Sequence, residues 1–135
     1  MKRILPVSYV IPFLFLFFAI PAAGGSAPPA VKGLKVEPHG GGLRLTWCKP
    51  VKDKNLNLYY EIYRKAKNTP VTETEIVPRN RIAVFGTEGA CLSYDDFTVR
   101  KGHTYSYAVI VVSKKGARSG ISKSRNAEKA IASVP

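Results

Sequence analysis

The sequence is poor in the residues that build catalytic and metal centres. It holds only two cysteines and two histidines among 135 residues. That is too few for a zinc ribbon or a haem motif, and it excludes a disulfide-dense miniprotein. His39 sits in a glycine turn and His103 lies far along the chain, neither with a carboxylate or cysteine at a motif spacing. No Gly-x-Ser-x-Gly elbow, phosphate loop or metal-binding helix pattern occurs. The two histidines read as surface residues, so the chain is expected to be no enzyme and to carry no cofactor and no metal. Asp95-Asp96 reads as a solvated turn that caps backbone, because a calcium site needs several further oxygen ligands. There is no Arg-Gly-Asp triplet and no Asn-x-Ser/Thr acceptor. Acid is scarce as well. Nine Asp+Glu face 21 Lys+Arg, a formal net charge of +12.

What is present begins with an apolar leader. Lys2 and Arg3 are followed by no charge until Lys32, and Phe13 to Phe17 are all phenylalanine or leucine. Small residues then run from Ala22 to Ala27. A basic start, an apolar middle and a small-residue exit describe a secretory signal peptide over residues 1–25. The uncharged stretch Ile4 to Ala23 is also long enough for an uncleaved anchor, but Pro6, Pro12 and Pro21 interrupt it. Residues 26–30 form an extended lead-in, and 31–135 form one domain. With 45% hydrophobic and 22% charged residues, the composition is globular.

The domain alternates at period two. Leu34 and Val36 alternate with Lys35 and Glu37, and Pro38 is expected to end that strand. His39-Gly-Gly-Gly42 is a turn, after which Leu43, Leu45 and Trp47 point inward and Arg44, Thr46 and Cys48 outward. Tyr60 and Ile62 share one face of a strand from Tyr59 to Lys65, with Tyr59, Glu61 and Tyr63 on the other. Ile76-Val77 and Arg81 to Phe85 are expected as short strands separated by Pro78. Leu92 and Tyr94 alternate with Cys91, Ser93 and Asp95. Thr104 to Ser113 is the strongest strand, with Tyr105, Tyr107, Val109 and Val111 on one face. Ile121 to about Ala132 is expected to supply the last. No segment shows a helical period. Seven short strands separated by turns predict an all-β, immunoglobulin-like sandwich.

The ordered motifs make the domain resemble a fibronectin type III domain. They are Pro29…Val31…Leu34…Val36, Leu43-Arg-Leu-Thr-Trp47…Pro50, Tyr60-Glu-Ile-Tyr-Arg64, Tyr94-Asp95 with Gly102-His-Thr-Tyr105-Ser-Tyr-Ala-Val109, and Gly116…Ser119…Ser122. The resemblance implies a seven-stranded sandwich with Trp47, Tyr60, Ile62, Leu92, Tyr105 and Val109 as structural core. It places Tyr105 at a tyrosine corner, its hydroxyl bonding to nearby backbone. It also implies that the second and fifth strands are antiparallel neighbours. Cys48 and Cys91, both facing outward, then meet as a disulfide, as suits an exported protein.

Two surfaces are candidates for function. The basic loops supply Lys49, Lys52, Lys54, Lys114, Lys115 and Arg118 as a polyanion-binding set. A highly charged surface without a ligand is the competing account. The outward faces of the third and sixth strands supply Tyr59, Tyr63, Ile110 and Val112 as an exposed apolar strip able to meet a protein. Cover by an edge loop or the N-terminal segment is the competing account there. The expected function is a non-catalytic exported binding or adhesion module docking a partner protein or an anionic surface polymer. A structural subunit of a cell-envelope assembly is the alternative. The expected location is periplasmic, cell-surface or secreted, in a bacterium. Nucleic acid is not expected as a partner, and a membrane only through an uncleaved N-terminal segment.

Overall fold

A computed structural model describes residues 27–49, 58–86, 89–121 and 130–135. The expected leader therefore lies outside the described residues, as do Lys52 and Lys54. The strands are β1 (Lys32–His39), β2 (Gly42–Cys48), β3 (Leu58–Lys65), β4 (Arg81–Phe85), β5 (Cys91–Asp96), β6 (Thr104–Ser113) and β7 (Ile131–Ser133). They form two antiparallel sheets, one ordered β1-β2-β5 and the other β4-β3-β6-β7.

Local chemistry sets the first hairpin. Gly40 and Gly41 have φ of 56° and 84°, and His39 pairs with Gly42 across them. Two successive residues at positive φ match the right-handed twist of a two-residue hairpin, and glycine adopts them without a Cβ clash. Gly42 is small for a different reason. A Cβ there would lie 2.5 Å from the Asp96 carbonyl oxygen and 2.8 Å from the Phe97 ring.

The inward sets meet between the sheets. Leu34, Val36, Leu43, Leu45, Trp47 and Leu92 from one sheet pack on Tyr60, Ile62, Tyr105, Tyr107, Val109 and Val111 from the other. Trp47 and Tyr60 rings lie 5.7 Å apart, joining the end of β2 to the start of β3. Each buried aliphatic side chain contributes roughly 1.5–3 kcal/mol. The Tyr105 hydroxyl accepts a bond from the Arg100 N–H at 2.9 Å, the corner expected from the sequence.

Several expectations need correction. Pro38 does not end β1. It pairs with Leu43 inside the strand, which is tolerated because β1 is an edge and proline's missing N–H costs no ladder bond there. Ile76-Val77 is not a strand. Glu73–Glu75 and Pro78–Asn80 form two 3₁₀ turns around it. The Ile76 N–H donates to the Glu73 carbonyl and Val77 to Glu75, so that backbone is satisfied locally. The last strand is only Ile131–Ser133. Ile121 lies outside any strand, and 122–129 fall outside the described residues.

The largest correction concerns the apolar strip. Tyr63, Ile110 and Val112 are buried and Tyr59 is half-buried. They form a second core with Ala108, Val71, Ile76 and Ile121. The β3–β4 connection folds back over the sheet and is anchored there. The Ser106 hydroxyl lies 2.6 Å from the carbonyl oxygens of both Lys67 and Thr69, its proton shared between them. Lys65 Nζ reaches Glu75 Oε1 at 2.8 Å. The face is covered because so much apolar area is cheaper to bury than to hydrate, and this connection is long enough to reach it.

Candidate functional site

Register fixes where the basic residues collect. Lys32 pairs with Cys48, Cys48 pairs with Cys91, and Leu58 pairs with Ser113. The Trp47–Tyr60 contact joins the two sheets at that same end. Lys32, Lys49, Lys114 and Lys115 therefore share one end of the sandwich. None of the four makes an ion pair among the described residues. Lys67, Arg100 and Lys101 belong to the opposite end, beside the His39–Gly42 turn and the start of β6.

Arg118 departs from the expected set. Its guanidinium is 3.0 Å from Glu61 Oε1 and donates to the Tyr63 hydroxyl. It is committed to the second core and is not a free member of the basic end. Glu61, Arg81, Arg118 and Tyr63 form a connected group, with Arg81 Nη1 2.7 Å from Glu61 Oε2 and Tyr63 donating to that oxygen at 3.0 Å. Burial alone would raise the Glu61 carboxyl, but the bonds from Arg81 and Tyr63 and the charge of Arg118 outweigh it. Its pKa lies below the ordinary carboxylate range.

A second buried hub is Asp96, expected as part of a solvated turn and found 1% exposed. Its Oδ2 accepts from Arg64 Nη1 at 2.7 Å and from the Tyr107 hydroxyl at 2.8 Å. Its Oδ1 accepts from the Thr98 N–H at 2.9 Å and the Thr98 hydroxyl at 2.7 Å. Burial pushes Asp96 up, yet these donors hold it below its ordinary value. Burial and the Asp96 carboxylate push the Tyr107 hydroxyl far up. Arg64 also lies over the Tyr105 ring, 5.2 Å from its centroid. Asp95, by contrast, points outward and is clamped by the cross-strand Arg44 at 2.7 and 2.8 Å.

The sequence held a signal for Asp96. It continues the inward alternation of Leu92 and Tyr94, and Arg64 continues that of Tyr60 and Ile62. Glu61 carried no such signal, because its face is buried by connections outside the strands, the β3–β4 connection and Ile121 after β6.

Cys48 and Cys91 form the disulfide, with Cα atoms 3.9 Å apart on the outer face of the three-stranded sheet. His103 stacks beside Tyr105, centroids 6.3 Å apart, and His39 ends β1. Among the described residues no three His, Cys, Asp or Glu side chains gather as a metal cluster. Among them, too, no helix is long and apolar enough to cross a membrane.

No protein-family model matches the chain, and no curated protein matches it. Among solved structures the chain is similar to the sixth fibronectin type III domain from human fibronectin type III domain containing protein 3. The two share 16% identity over 83% of this chain and 90% of that one, with a TM-score of 0.47. By their own strand order, β1-β2-β5 packed on β4-β3-β6-β7, the described residues form an all-β, seven-stranded sandwich of the fibronectin type III-like, immunoglobulin-like kind.

Proposed function

We propose that the chain is a non-catalytic exported binding module that docks an anionic surface polymer through the lysine end of its sandwich. The fold is one commonly used for binding or adhesion and typically without catalysis. Fold alone assigns no function, so the reading rests on the site. The observation that carries it is the gathering of Lys32, Lys49, Lys114 and Lys115 at one end while five of the six described acids are paired with other cations. Glu37, Glu61, Glu75, Asp95 and Asp96 are each held in an ion pair. A polyanion meeting those lysines displaces no internal partner. Export is supported by the disulfide and by the apolar leader in the sequence. The envelope-subunit alternative loses its main support with the burial of the Tyr63, Ile110 and Val112 face.

The test is retention of the purified protein on an immobilised sulfated polysaccharide across a salt gradient. Replacing Lys32, Lys49, Lys114 and Lys115 by serine removes roughly 1 kcal/mol of attraction per charge at an anionic surface. Retention should fall sharply, and the same change at Lys67, Arg100 and Lys101 should do little. Equal loss from both sets would reduce the reading to non-specific charge. Retention that survives high salt would replace it with a protein contact.

A further inference from the structure

We infer that Cys91 is a modification site for small-molecule thiols, opening the Cys48–Cys91 bridge while the domain stays folded. It shares Lys32 with the docking reading but does not rest on it. Four observations carry it. Cys91 is the exposed residue of the bridge and Cys48 the half-buried one, which makes Cys91 the end open to attack from solvent in this proposal. The bridge joins directly paired residues on an outer sheet face, and it is no part of either hydrophobic core. The backbones are held together on both sides of it. Trp47 pairs with Leu92 before it, and the Lys49 N–H donates to the Ala90 carbonyl at 2.8 Å beyond it. Opening the bridge therefore requires no separation of β2 from β5. Finally, Lys32 is the direct cross-strand partner of Cys48 and so shares its face of the sheet.

The chemistry balances in two exchanges. The thiolate of a small thiol attacks Cys91 Sγ, a new S–S bond forms there, and the Cys48–Cys91 bond breaks. Its electron pair leaves on Cys48 as a thiolate, on the same sheet face as its cross-strand partner Lys32, and a lower-pKa thiol leaves faster. A second small thiol then attacks the mixed disulfide. It leaves Cys91 as a thiolate and releases the oxidised small-molecule disulfide. The protein gains two electrons and two small thiols lose one each. Because the strands stay paired, Cys48 also stands ready to expel the adduct and restore the bridge.

The experiment treats the folded protein with reduced glutathione over a wide concentration range, quenches with acid, and maps the adduct by mass spectrometry. The rate should rise linearly with thiolate concentration, with the adduct on Cys91. Replacing Lys32 by glutamate should slow the first exchange about two- to five-fold, the effect of reversing one exposed charge beside a leaving thiolate. Circular dichroism during the reaction should stay native. A rate that levels off at a ceiling would mean that the bridge opens only after unfolding, and would overturn the inference. So would an adduct confined to Cys48, or none at all. An unchanged rate in the Lys32→Glu protein would remove the lysine from the mechanism.

Discussion

Asp96→Ala tests the main polar claim about the structure. The side chain is 1% exposed and accepts bonds from Arg64, Tyr107 and Thr98, all within 2.9 Å. Alanine leaves the Tyr107 hydroxyl buried without its acceptor. It also leaves Arg64, whose side chain is 22% exposed, without its anion. Removing one partner of a buried pair costs about 3–5 kcal/mol, because the other charge stays desolvated. Domains of this size hold only about 5–15 kcal/mol in total, so the variant should be close to unfolding in mild urea. Asp96→Asn keeps the shape and one acceptor, and its loss should be smaller. A double-mutant cycle between Asp96 and Arg64 should return a coupling of about 1–3 kcal/mol.

The pH dependence carries its own sign. Asp96 is depressed in the folded protein, so its contribution is present above the ordinary aspartate pKa, about 3.9. That contribution is lost as pH falls below this value toward the folded pKa. Wild-type stability should therefore fall on the acid side of about pH 4, and the fall should be shallower in Asp96→Ala. It should not vanish there, because Glu61 and Asp95 are depressed too and Glu75 is held at about 2 by Lys65 and Thr72. Urea midpoints at several pH values give both readings. A loss under about 1 kcal/mol with an unchanged acid limb would place the network in the class of surface ion pairs and refute the reasoning.

Three further outcomes are expected. Replacing Cys48 and Cys91 together by alanine frees a loop with a sequence separation of 43, worth about 4 kcal/mol in the chain-entropy account. A urea midpoint shifted by much less would show that the β2–β5 ladder persists in the unfolded chain. Gly42→Ala forces a Cβ to within 2.5 Å of the Asp96 carbonyl oxygen, and overpacking of that kind costs about 1–3 kcal/mol. Thermal unfolding unchanged within error would count against the close approach. Tyr105→Phe removes the acceptor of the Arg100 N–H and should cost about 1–2 kcal/mol. Faster hydrogen exchange at Arg100, with the β6 amides unchanged, would place the loss at the corner.

The alternation of side chains carried most of the fold. Leu43, Leu45 and Trp47 on β2 and Tyr105 to Val111 on β6 each recur at period two, and each set lies between the sheets. Alternation turned Cys48 and Cys91 outward, and the resemblance, which sets the second strand beside the fifth, brought them together as the register shows. Alternation fails where burial depends on something outside the strand. Tyr63, Ile110 and Val112 point away from the first core, so the strand pattern reads them as exposed. They are buried because Val71, Ile76 and Ile121, from connections without strand periodicity, lie across them. Those connections follow local turn chemistry at Pro78 and Thr72. Nothing in a two-residue period reports that they fold back.

The same folding back explains why the basic set divided. Arg118 and Lys114 lie four positions apart, and charge counting treats them alike. Arg118 falls beside β6, where its isolated bridge to Val112 brings it to Glu61 and Tyr63. Glu61 was drawn into the protein by the cover over its face, and a buried carboxylate requires cations. It takes two, Arg81 and Arg118, into ion pairs, although both side chains stay partly in water. Asp96 takes Arg64 in the same way. The scarce acids are thus spent mainly on the strands, against arginines whose planar forks suit buried pairing. The lysines at the β2–β3 and β6–β7 ends are left facing water. Stability and positive surface are separated mainly by place, since Lys35 and Lys65 also pair with acids. Changing Lys32, Lys49, Lys114 and Lys115 should leave folding within about 0.5 kcal/mol of wild type, as surface substitutions away from such networks do. Any loss of binding in that variant then belongs to the surface alone.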